Sequence, residues 1–84
     1  MKIHELKLQL PFSDDVLSGR KNFEIRQNDR GYQCGDRVVF RTYDGMIRCH
    51  HSVDDEVFEI TYVMSGWGLK EDYVVFGIKR IGND

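Results

Sequence analysis

Apolar residues return at every second position along most of this chain, a period that strands can use and helices cannot. Over residues 3–10, Leu6, Leu8 and Leu10 fall on one face and Glu5, Lys7 and Gln9 on the other. Pro11 ends that strand, because proline has no N–H to give to a ladder. Over residues 22–27, Phe23 and Ile25 alternate with Glu24 and Arg26. This predicts Phe23 and Ile25 toward a core, with Glu24 and Arg26 together on the opposite face. Residues 37–43, 57–64 and 73–81 add three more strands. The last is the most apolar and is expected at the centre of a sheet. Asp44-Gly45 is a two-residue hairpin signal, which makes 46–51 a returning edge strand.

Only residues 12–19 interrupt the alternation. Ser13 reads as an N-cap and Asp14 and Asp15 as first-turn acids. Phe12 is placed to pack on Leu17, and Gly19 to stop the helix in a left-handed conformation. About six strands and one two-turn helix predict a small, mostly antiparallel β-barrel with the helix plugging one end.

Length and charge limit what such a molecule does. The 84 residues form a single domain over 1–84, and a net charge of −2 excludes a bulk polyanion binder. Any affinity for nucleic acid must come from a local patch. Arg20, Lys21, Arg26 and Arg30 stand against Glu24 and Asp29 within 19–30, while Asp54-Asp55-Glu56 is acidic and reads as a solvated loop. Cys34 and Cys49 have neither metal-ligand nor disulfide-framework spacing, and Cys49-His50-His51 lacks further ligands, so no metal is expected. No cofactor motif is present. The residues carry no apolar leader or membrane-spanning run, which points to a cytoplasmic protein with free thiols and no membrane partner.

The chemistry concentrates where the helix hands over to the second strand. Lys21 is a compact cation beside a glycine turn, suited to a phosphate or a base carbonyl. Arg26 offers a planar fork, and Glu24 is placed to orient it or to accept from an exocyclic amine. An ordinary solvated strand would also carry such charges. Arg30 is a candidate rim contact. Trp67, between Gly66 and Gly68, is either a stacking platform for a base or a plug for an open barrel end.

Gly19-Arg20-Lys21-Asn22-Phe23-Glu24-Ile25-Arg26 spells G-x-K-x-x-E-x-R. This resembles the signature of ASCH domains (activating signal cointegrator homology), small barrels of the PUA-like superfamily. His4-Glu5-Leu6-Lys7, Asn28-Asp29-Arg30, Gly35-Asp36, Gly68-Leu69-Lys70 and Tyr73-Val74-Val75 look like one small prokaryotic and phage branch of it. The resemblance implies a cleft beside the barrel lined by the motif, and RNA or a nucleotide as its ligand.

One function is therefore expected, with two alternatives behind it. The first is an RNA- or nucleotide-binding module using Lys21, Glu24, Arg26, Arg30 and Trp67. The second is a hydrolase acting on nucleic acid or nucleosides, with Lys21 and Glu24 as the catalytic candidates. In one branch the resemblance implies an acetylcytidine amidohydrolase with a lysine and a threonine nucleophile. Lys21 matches that lysine, but Glu24 stands at the threonine position, so this carry-over stops at Lys21. The third is a protein-interaction domain offering the 46–51 edge. No oligomeric state follows from the residues.

Overall fold

A computed structural model describes residues 1–82. The alternation at the start forms β1 (Ile3–Gln9), which buries His4, Leu6 and Leu8 and exposes the residues between them. The chain continues through α1 (Leu10–Ser18), β2 (Phe23–Gln27), β3 (Arg37–Asp44), β4 (Ile47–Arg48), a 3₁₀ turn (Ser52–Asp55), β5 (Phe58–Ser65) and β6 (Tyr73–Arg80). The protein is mostly β with one α-helix, and among the described residues no helix is long and apolar enough to cross a membrane.

The expected closed, mostly antiparallel barrel is not what forms. The hydrogen-bonded order is β1-β3-β5-β6-β2, with β4 paired to β3, so the six-stranded sheet stays open. Its first pair, β1 with β3, is parallel, because the α1–β2 excursion is long enough to serve as a crossover. The other ladders are antiparallel, which leaves the two edges, β1 and β2, running in opposite senses. No ladder joins them. Instead Arg26 Nη2 donates to the Lys7 carbonyl at 2.7 Å and Arg30 Nη1 to the Glu5 carbonyl at 2.7 Å. Two guanidinium groups thus satisfy alternate carbonyls of an edge strand whose polar groups would otherwise be unpaired.

β6 lies between β5 and β2, the central position its composition predicted. Its Val74, Phe76 and Ile78 join Phe40, Phe58 and Ile60 in one apolar core, and the Phe40 and Phe58 rings meet edge to face at 5.3 Å.

α1 begins three residues before the expected N-cap. Pro11 sits in the first turn, where its missing N–H is no loss, so it opens the helix as well as closing the strand. Ser13 is consequently inside the helix and fully buried, 3.2 Å from the Thr42 hydroxyl. Phe12 is also helical and half exposed, so it does not act as the expected staple. Gly19 does end the helix in the left-handed region, at φ +85°.

The acidic segment is also different from a solvated loop. The Asp54 side chain is buried and accepts from the Thr42 hydroxyl at 2.6 Å, the Thr42 N–H at 3.2 Å and Arg48 Nη1 at 2.9 Å. It fills the stretch of β3 that neither β4 nor β5 pairs. Burial alone would raise its pKa, but the Thr42 hydroxyl and N–H and the Arg48 guanidinium outweigh that and hold it low. Asp36 is a second buried carboxylate of this kind. It lies 2.8 Å from His4 Nε2 and accepts the Lys2 and Gln33 N–H groups at 3.1 Å each. Those bonds overcome the desolvation and lower its pKa. The pair fastens the start of β1 to the loop before β3, with the His4 ring packed 4.7 Å from Tyr32.

Candidate functional site

The site is built at the seam between the two sheet edges. Gly19 turns the chain out of α1 by donating its N–H to the Val16 carbonyl at 3.2 Å, and the Lys21 N–H returns to the Asp15 carbonyl at 2.9 Å. The turn therefore holds Lys21 at a fixed distance from the helix before β2 begins.

β2 then runs in the phase opposite to the one its apolar residues suggest. Glu24 pairs with Phe76 and Arg26 with Val74, both partners buried, whereas Phe23 and Ile25 pair with Gly77 and Val75. Glu24 is accordingly buried at 3 % exposure, while Phe23 and Ile25 are exposed at 42 % and 52 %. A lone buried carboxylate would be costly, and here it is fully partnered. Lys21 Nζ contacts Glu24 Oε2, and Arg26 holds Oε1 through Nε at 3.1 Å and Nη2 at 2.9 Å. Lys21 Nζ also donates to the Phe23 carbonyl at 2.9 Å. It lies 5.0 Å from the Phe23 ring centre and 5.7 Å from that of Phe12, within cation–π range of both.

These groups line a cleft of about 380 Å³ together with Lys7, Leu8, Gln9, Phe12 and Ile25. Two cations around one carboxylate leave the Lys21–Glu24–Arg26 network with one net positive charge. Its walls are aromatic and aliphatic. Both Glu24 oxygens are engaged, so this carboxylate is held as an anchor for the two cations and is not poised as a free base.

Of the expected site residues, Lys21, Glu24 and Arg26 are brought together. Arg30 is spent on the Glu5 carbonyl across the seam, which sets it as a strut. Trp67 lies in the loop after β5, 91 % exposed, and does not line the Lys21 cleft. Asn28 shapes its turn, its side-chain oxygen accepting the Tyr32 N–H at 3.2 Å. Phe12 and Lys7 complete the cleft, although the sequence marks Phe12 only as a helix staple and Lys7 only as a polar strand position. The helical placement of Phe12 was the missing clue, since it turns the ring toward the seam.

Among the described residues no group of three or more His, Cys, Asp or Glu is arranged to hold a metal ion. His51 Nε2 lies 2.7 Å from Asp14 Oδ1 and its Nδ1 accepts the Val53 N–H at 3.0 Å, so both ring nitrogens are occupied. Cys34 and Cys49 are free thiols. The hairpin edge is reduced to the two residues of β4, with Ile47 exposed within it and Met46 exposed just before it.

A small, mostly β domain with a charged seam cleft is the class this geometry defines. Residues 3–78 match the family described as a domain of unknown function, DUF3850, and the chain belongs to that family. It is also 35 % identical over 74 residues to a protein of Escherichia phage P2 described as an uncharacterized 12.9 kDa protein in the GpA 3′ region. The match covers 88 % of this chain and 65 % of the phage protein, so the chain spans less than two thirds of that relative's length.

Proposed function

We propose that the seam cleft binds a nucleotide unit, either within RNA or free. One observation carries the reading: two exposed phenylalanine rings, Phe12 and Phe23, wall a cleft whose floor is the net-positive Lys21–Glu24–Arg26 network. A nucleobase needs a flat apolar surface, and its phosphate needs a nearby cation already held in place. Phe12 and Phe23 meet the first need, and Lys21, fixed by Glu24 and bordered by both rings, meets the second. The resemblance of G-x-K-x-x-E-x-R to the ASCH signature, and with it to PUA-like barrels, implies the same ligand class for these same residues. Under that comparison the open sheet with its two bridging arginines stands as an incompletely closed version of such a barrel. A cytoplasmic setting, with Cys34 and Cys49 reduced, belongs to this reading.

The engagement of both Glu24 oxygens favours binding over hydrolysis. The test is calorimetric titration of nucleoside monophosphates at low salt into the wild type, Phe12→Ala and Lys21→Ala. Measurable binding is expected, weakened about tenfold or more by Phe12→Ala through lost stacking and weakened again by added salt through Lys21. Binding unchanged in both variants would overturn the reading.

A further inference from the structure

A second and larger groove, of about 750 Å³, lies on the other side of Phe23, and Lys21 and Phe23 line both. We propose that this groove carries the continuing strand of a single-stranded nucleic acid, with a base seated against Tyr62 and the backbone along Lys79 and Arg80. The proposal rests on the reading of the seam cleft as a nucleotide site.

Charge is the first argument. Among the described residues Lys21, Lys79 and Arg80 line the groove and no carboxylate does, in a chain whose net charge is −2. Arg80 pairs at 3.3 Å with Glu56, which lies outside the lining, and among the described residues Lys79 has no ion-pair partner. The groove thus presents cations whose carboxylate neighbours, Glu24, Glu56 and Glu59, lie outside its lining, an arrangement that fits a polyanion.

Shape is the second. The β5–β6 register slips between Ile60 and Tyr62, so Thr61 is an inserted residue at a bulge. Ile60 is buried, yet Thr61 and Tyr62 are both exposed, which is how a bulge turns two successive side chains outward. Tyr62 pairs with Gly77, and Gly77 pairs on its other side with Phe23. Two exposed aromatic residues therefore flank a residue without a side chain, in one row across β2, β6 and β5. The Thr61 hydroxyl oxygen sits 2.6 Å from where a Cβ on Gly77 would be, filling the middle of the row with a polar group. Exposed rings on a sheet face, with cations beside them, are a general means of gripping unpaired bases.

The test uses the intact protein with three probes: a nucleoside monophosphate, a labelled single-stranded RNA of about eight nucleotides, and the DNA of the same sequence. At least one oligomer is expected to bind tenfold or more tightly than the monophosphate, and the RNA-to-DNA ratio then assigns the sugar. Tyr62→Ala should weaken oligomer binding about fivefold or more, and Lys79→Ala should lower the salt slope by about 0.7. Neither variant should alter monophosphate affinity or melting temperature. Equal affinity for monomer and oligomers, or oligomer binding indifferent to both variants, overturns the groove while leaving the cleft intact. Absence of binding to all three probes overturns the cleft as well. Binding of an acidic peptide with the same dependence on Tyr62 and Lys79, and no oligomer binding, would reassign the groove to a protein partner.

Discussion

The Arg26 guanidinium lies 2.7 Å from the backbone carbonyl of Lys7 while the same group clasps a carboxylate on its own strand. One side chain thus joins the two edges of an open sheet and orients the charged floor of the cleft between them. Fold closure and site geometry share a residue.

Substituting Arg26 should therefore lose both at once. Arg26→Lys keeps the charge but cannot hold Glu24 with two nitrogens and reach Lys7 as well. Hydrogen exchange at the seam residues of β1 and β2 should quicken in this variant, with exchange in β3 and β5 little changed. Uniform acceleration across the sheet would contradict a seam-specific role.

Glu24 is the one member of the network whose side chain is almost fully buried. Glu24→Ala leaves Lys21 and Arg26 without the carboxylate that holds them at the floor of the seam. Both remaining cations are partly solvated, so the cost should fall below that of orphaning a buried charge, at about 1–3 kcal/mol. Urea unfolding should show a lower midpoint with a similar slope. A change within about 0.5 kcal/mol, the usual range of surface substitutions, would mean that the network is effectively solvated.

Acid should destabilise the protein through Asp36 and Asp54. Both have lowered pKa values in the folded state, so the stability they contribute is complete above their ordinary value near 3.8. It is lost as pH falls below that value and through the lowered folded values, because the unfolded chain then binds protons first. Urea midpoints measured from pH 6 to pH 2 should fall more steeply for the wild type than for Asp36→Asn or Asp54→Asn. Parallel curves would exclude these carboxylates as the source.

Gly19→Ala should cost about 1–2 kcal/mol, since φ +85° is a left-handed conformation that a Cβ disfavours. The nearest surroundings of Gly19 are open, so no steric clash adds to this backbone term. Thermal melting is the direct measurement.

Gly77→Ala behaves differently, because its added Cβ meets the Thr61 hydroxyl at 2.6 Å. The cost should shrink when Thr61→Ala is made first. A double-mutant cycle with no coupling would show that the bulge relaxes freely.

Much of this architecture is legible in the residues. The β1 alternation, the Gly19 stop and the central position of β6 all follow from local pattern and composition. The phase of β2 does not, because alternation fixes a period without fixing which face is buried. Phe23 and Ile25 looked like core residues, and only Lys21 and Arg26, folded back on Glu24, make the opposite phase affordable. Asp54 was hidden for a related reason. Its acidic neighbours suggest solvent, while its partners Thr42 and Arg48 come from β3 and β4. The parallel pairing of β1 with β3 and the open seam likewise depend on contacts between distant segments.

The ladder between β2 and β6 also sets when the molecule becomes competent during synthesis. β2 has no other strand partner, and its first residue pairs from position 23 to position 77, 54 positions on. At about 5–20 residues per second, that separation is roughly 3–10 seconds of translation. For that interval the nascent chain has made the charged motif but lacks the strand on which β2 is mounted. The mounting of the motif therefore waits on the arrival of a strand that contributes none of the motif's charges.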